Sequence, residues 1–168
     1  MSRTRLLALA IIGTLGVAAV ALAATQKITF SGVGSVHIGD KYTALRQAGK
    51  IGKVGPGCEL AGPNARSAKL LPPAKGSADL SFGSPRKITN ISITGGATAR
   101  GVGIGDKISD IKAAYTGVVV DHSTDQMFGT TLVVVQRGSD HHSALAFAVD
   151  TGTHKIVLIG IPYIAVCE

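Results

Sequence analysis

Two stretches of this 168-residue chain are near-copies of one another, 66 positions apart. The first runs Val36-His37-Ile38-Gly39-Asp40-Lys41 and, after three residues, Leu45-Arg46-Gln47-Ala48. The second runs Val102-Gly103-Ile104-Gly105-Asp106-Lys107 and, after three residues, Ile111-Lys112-Ala113-Ala114. A motif repeated at such a period marks one supersecondary unit used twice. Each Gly-Asp pair reads as a turn followed by a helix N-cap, because the Asp carboxylate can accept free amide hydrogens of a first helical turn. A helix over 41–48 places Tyr42, Leu45 and Ala48 on one face and stops at Gly49. In the second copy Asp106 is the cap, Ile108, Ile111 and Tyr115 form the apolar stripe, and Gly117 ends the helix. Both helices are short, so packing must hold them.

The rest of the pattern is strand. Residues 27–30 alternate, and residues 79–82 and 87–94 flank a turn at Gly83-Ser84-Pro85. Ile88, Ile91 and Ile93 break strict alternation, which predicts a bulge or burial on both faces. Strands are also expected at 117–121, 130–136, 143–149 and 155–161, with turns at Gly138-Ser139-Asp140 and at Asp150-Thr151-Gly152-Thr153. Residues 49–76, crowded with Gly, Pro, Lys and Ala, read as an irregular segment pinned by Cys58. Gly95-Gly96 to Gly101 reads as the junction of two halves. The expected fold class is α+β: two tandem repeats, residues 25–96 and 97–168, each a short helix followed by an antiparallel β-meander.

Residues 1–24 have the three parts of a signal peptide. Arg3 and Arg5 form a basic n-region, residues 6–20 an apolar h-region, and Ala21-Leu22-Ala23 a small-residue cleavage site. Cleavage leaves about 144 residues, enough for one domain or two small halves sharing a core. No later apolar run is long enough to span a bilayer, so the mature chain is expected to have no transmembrane segment. The predicted location is secreted or associated with the cell envelope. An exported pair of cysteines, Cys58 and Cys167, is most simply a disulfide. Closing a loop of about 110 residues contributes about 4–5 kcal/mol in the chain-entropy account.

Removing Arg3 and Arg5 lowers the formal charge from +7 to +5. Between positions 41 and 75 seven Lys or Arg side chains stand against Glu59 alone. Such an excess reads first as a solubilising, solvated loop and second as a weak footprint for an acidic protein or an anionic envelope component. Nucleic acid is not expected, since the chain has only three Tyr, four Phe and no Trp for stacking bases.

The doubled pattern of apolar lead, Gly, polar helix start and [Leu/Ile]-[Arg/Lys]-x-Ala resembles small secreted actinobacterial proteins of unassigned function. It is also distantly similar to the tandem-repeat fold of β-lactamase inhibitor proteins, in which a helical segment opens each half and an antiparallel sheet follows. The matching positions are Ile38-Gly39-Asp40-Lys41 and Ile104-Gly105-Asp106-Lys107. Asp and Lys stand in both copies where that family has Met and Thr. The resemblance implies a role in inhibiting an exported hydrolase such as a β-lactamase. It assigns no residue, because those inhibitors bind through aromatic-rich surfaces.

Asp40 and Asp106 occupy equivalent places and could be paired catalytic carboxylates, but helix capping explains both. His141-His142 beside Asp140 form the most suggestive cluster, since imidazole is a common metal ligand. Adjacent side chains on an extended segment point opposite ways, so a site would need His122, Asp121, Asp125 or His154 as well. Gly101, Gly103 and Gly105 lack the spacing of a dinucleotide loop, and no Gly-x-Ser-x-Gly elbow is present. No catalytic residue, cofactor or metal is therefore assigned. The expected function is non-enzymatic: a binding module for another protein or an envelope component. Arg46, Lys50, Lys53, His141 and His142 are the candidate partner-binding residues. Inhibition of an exported hydrolase is one alternative. A metal-binding or enzymatic role for the His122/His141/His142 region is the other.

Overall fold

Val133 and Val135 alternate with Leu132 and Val134, and the strand they build sits near one edge of a large sheet. The computed structural model describes residues 25–137 and 144–165. The expected signal segment, the His141-His142 pair and Cys167 lie outside the described residues. In chain order the elements are β1 (Gln26–Thr29), β2 (Gly32–Val33), β3 (Val36–His37), α1 (Tyr42–Gln47), β4 (Ile51–Pro56), β5 (Arg66–Leu70), β6 (Lys75–Leu80) and β7 (Ile88–Gly95). They continue with β8 (Ala97–Thr98), α2 (Ile108–Ala114), β9 (Val118–Asp121), α3 (Asp125–Phe128), β10 (Thr130–Gln136), β11 (Ala144–Asp150) and β12 (Ile156–Ile161). A single 3-10 turn, Glu59–Ala61, lies between β4 and β5.

Eight strands form one antiparallel sheet in the order β4-β5-β6-β7-β12-β11-β10-β9. A second sheet, β3-β2-β1-β8, is built from the segments that lead into the helices, with β1 and β8 parallel. The core lies between the inner face of the large sheet and a layer made of the small sheet and the helices. Ile91, Ile93, Phe147 and Ile159 come from the large sheet, Ile28 and Val33 from the small one, and Leu45 and Ile111 from α1 and α2. Tyr115 joins them edge-on to Phe30 and tilted against Phe147, both at 6.4 Å between ring centres.

This arrangement overturns the α+β expectation of two helix-plus-meander repeats. The protein is mostly β, with two sheets in a mainly antiparallel, sandwich-like fold. Helices of six and seven residues bury one apolar side chain apiece, Leu45 and Ile111, too little to make a helical layer for each half. The two four-strand runs instead merge through β7 and β12, where Ile91, Ser92 and Ile93 pair with Ile161, Gly160 and Ile159. Shared hydrogen bonding there removes two edges that separate meanders would leave exposed.

Residues 49–76 are likewise not irregular, since they contain β4 and β5. Gly and Lys have weak strand preference, but Ala68 packs between Val54 and Ala78 in register, and pairing overrides propensity. The junction near Gly96 is packed rather than open: Ala97 and Ala99 are buried, and a Cβ on Gly96 would collide with the Pro73 carbonyl. In β7 the register shifts so that Asp79 faces Asn90 while Leu80 faces Ile88. That bulge at Thr89 buries Ile88, Asn90 and Ile91 together.

Asp40 and Asp106 do not cap helices. The N-cap positions are Lys41 and Lys107. Each Asp carboxylate turns back instead and accepts an amide hydrogen three residues earlier, from His37 at 2.8 Å and from Gly103 at 2.8 Å. With Gly39 and Gly105 in the left-handed region (φ 89° and 93°), the carboxylate closes a turn that a forward-reaching cap could not. Both turns then dock alike. Gly39 donates to Ile88 and receives a bond back at Asp40 from Ile88, and Gly105, Asp106 and Ile156 repeat the pair.

Candidate binding surface

Leu60, Phe82 and Tyr163 stand 68%, 66% and 54% exposed and surround one cleft of about 330 Å³. The 3-10 turn presents Leu60. Phe82 extends from the end of β6 just before the Gly83-Ser84-Pro85 turn. Tyr163 follows β12, where the chain leaves the sheet and bends over Gly160. A Cβ on Gly160 would collide with the Tyr163 carbonyl, so only glycine permits the crossing. Single exposed apolar residues are ordinary, but three around one concavity mark an interaction surface.

The polar groups of the cleft are Arg66, Asp79 and Thr89. The Arg66 guanidinium donates through Nη1 to the carbonyls of Pro63 at 2.9 Å and Ala65 at 2.7 Å, which holds its plane against the loop. Asp79 receives the Asn90 side-chain amide at 3.2 Å. Asn90 is fully buried and its carbonyl oxygen has no partner. Cys58 and Ala165 also line the cleft.

Of the residues singled out in the sequence, Arg46 donates to the Ile51 carbonyl at 3.3 Å, while Lys50 and Lys53 are exposed near the start of β4. None of the three lines the cleft. His122 binds Asp125 at 2.8 Å, and Asp125 also accepts the Thr131 hydroxyl at 2.8 Å. These two hydrogen bonds, His122 first, hold the Asp125 carboxyl below its ordinary value. Asp121 is lowered chiefly by the Ser123 amide, and Asp150 chiefly by the Thr153 hydroxyl. Among the described residues no three His, Cys, Asp or Glu side chains gather to hold a metal ion. No helix among them is long and apolar enough to cross a membrane.

Sequence reasoning missed the cleft. Phe82 carried the available signal, as a large aromatic at a turn with no periodic partner. Leu60 and Tyr163 become its neighbours only when β12 is set beside β7. No family model, curated protein or solved structure matches this chain.

Proposed function

We propose that this chain is an exported, non-enzymatic binding module that engages another protein through the cleft between the 3-10 turn and the Tyr163 segment. The observation that carries the reading is the convergence of Leu60, Phe82 and Tyr163, all more than half exposed, beside Arg66. Tyr and Arg dominate the energetic centres of protein interfaces, and a cleft with an apolar rim accepts a protruding partner side chain. Export is supported by the three-part pattern of residues 1–24 and by the even cysteine pair. The Cys58–Cys167 bridge belongs to the same proposal. Its support is the even cysteine pair and the presence of Ala165, two positions before Cys167 in sequence, among the residues that line the same cleft as Cys58.

The test is a photo-crosslinking residue placed at Phe82, with a second placed at exposed Lys112 as control. A discrete protein adduct from position 82, absent from position 112 and lost with Tyr163→Ala, is expected. Equal labelling from both positions, or adducts with envelope glycans in place of protein, would overturn the reading.

A further inference from the structure

Asp79 and Asn90 stand directly opposite one another on β6 and β7, on the face of the large sheet turned away from the core. The face follows from register, since the neighbouring pair, Ala78 and Ile91, is the one that enters the core. Ser92 and Gly160 are paired on the same outward face, and the Tyr163 segment crosses it there, over Gly160. Asn90 is nevertheless fully buried. Its side-chain amide donates to Asp79 Oδ2 at 3.2 Å, while its own carbonyl oxygen has no partner. Buried polar side chains are normally satisfied, so an Asn that leaves its oxygen orphaned calls for a reason. Asp79 supplies one: the amide fixes one carboxylate oxygen in place and leaves the other for a donor from outside.

Asp79 lines the cleft half-buried and without a counter-charge. Among the described residues the close pairs of opposite charge are His37–Asp40 and His122–Asp125 alone. Arg66 shares the cleft, but it commits Nη1 to the Pro63 and Ala65 carbonyls and stays outside ion-pairing distance of Asp79. The Thr89 hydroxyl donates to the Asp79 main-chain carbonyl at 3.2 Å and not to the carboxylate. A carboxylate held partly out of water among apolar side chains is costly without a cation. The rim suits one, because Phe82 and Tyr163 are exposed aromatic side chains, and aromatic faces attract ammonium and guanidinium groups.

We propose that the cleft receives a basic side chain, Lys or Arg, of the partner protein, with its charged head on Asp79 Oδ1. The proposal rests on the reading of the cleft as the partner-binding surface and names the group that the cleft reads. Long basic side chains carry an apolar stem as well as a charge, and Leu60 and Phe82 offer the stem an apolar wall. An acidic group is disfavoured, because it would meet the uncompensated Asp79 in the same opening.

NMR titration of the purified, nitrogen-15-labelled protein tests this. The probes are the N-acetyl methylamides of arginine, lysine, citrulline and glutamate, added at constant ionic strength. Arginine or lysine is expected to shift the Thr89 backbone and Asn90 side-chain amide signals with a millimolar Kd, as befits so few atoms. Citrulline, a neutral isostere of arginine, is expected to bind about tenfold more weakly. Asp79→Asn keeps an acceptor for Asn90 and is expected to erase the preference for the basic probes. Glu59→Gln, which removes an exposed carboxylate on the neighbouring 3-10 turn, is expected to keep it. Basic probes no better than citrulline, a preference for glutamate, a preference intact in Asp79→Asn, or silence with all four probes would each overturn the proposal. The citrulline comparison is made on the wild type and stands even where the variant is unstable. A protein adduct at Phe82 without a preference for basic probes would remove the basic side chain and spare the binding surface. A preference for basic probes without a protein adduct would do the reverse.

Discussion

The Asp106 carboxylate accepts the partly buried amide hydrogen of Gly103 at 2.8 Å, closing the turn that delivers the chain from the small sheet to α2. Asp40 and His37 repeat the bond at the same length. An unsatisfied buried donor costs about 1–3 kcal/mol. Asp106→Ala is therefore expected to lower unfolding stability by about 2 kcal/mol, while Asp106→Asn, which keeps an acceptor oxygen, loses less than half of that. Urea denaturation of the two variants measures the difference. Equal losses would show that charge, and not the acceptor, holds the turn.

Arg100 lies 4.8 Å above the Tyr115 ring and donates to the Ala114 carbonyl at 3.1 Å. Arg100→Ala is expected to cost about 1 kcal/mol from the lost cation–π contact and hydrogen bond. Burial raises the Tyr115 phenol above its ordinary 10.0, and Arg100 partly opposes this. A raised folded value means stability is intact below pH 10.0 and falls as pH climbs through the folded value. In Arg100→Ala that value moves higher still, so the alkaline loss extends further. Spectroscopic titration of Tyr115 in the wild type and in Arg100→Ala is the measurement.

Asp125 responds at the other end of the pH scale. Its folded value is lowered, first by His122 and then by Thr131. The associated stability is therefore present above pH 3.8 and lost as pH falls through the folded value. His122→Ala is expected to move the Asp125 titration back toward 3.8, with Thr131→Val giving a smaller shift in the same direction. Carboxyl NMR titration resolves both. A titration unmoved in His122→Ala would rule out the hydrogen bond as the cause.

Gly160→Ala is expected to displace the Tyr163 segment, because the added methyl meets the Tyr163 carbonyl and the Ile164 side chain. Overpacking of this kind costs about 1–3 kcal/mol. The same variant should weaken the Phe82 crosslink, since Tyr163 lines the same cleft. A stable variant with an intact crosslink would place the Tyr163 segment elsewhere.

Peptide mapping without reductant is expected to recover Cys58 joined to Cys167. Reduction is expected to destabilise the protein by about 4–5 kcal/mol, as closure of a long loop does. Two free thiols in the denatured, unreduced protein would remove the bridge.

Local patterning made much of the strand content readable. Residues 130–136, Thr-Thr-Leu-Val-Val-Val-Gln, are rich in the β-branched side chains that strands favour, and β10 occupies those positions; the broken alternation of Ile88, Ile91 and Ile93 anticipated the bulge of β7. Residues 49–76 failed for the opposite reason. Their Gly, Lys and Pro content argues against strands, and only neighbours on both sides make β5 stable. The Asp residues were recognised as architectural, but the direction of their hydrogen bonds depends on the positive φ of Gly39 and Gly105, which composition does not reveal.

By itself, then, the amino-acid order determined where the chain extends after residue 77, where it turns there, and that one turn-and-helix sequence is used twice, because those properties rest on local side-chain preference and neighbouring backbone geometry. Tertiary structure decided how the strands join: as one eight-stranded sheet through β7 and β12, with the lead-in segments paired as a second. It also decided which residues meet at the cleft. Leu60, Phe82 and Tyr163 are distant in sequence, and only the order of strands brings them around one opening.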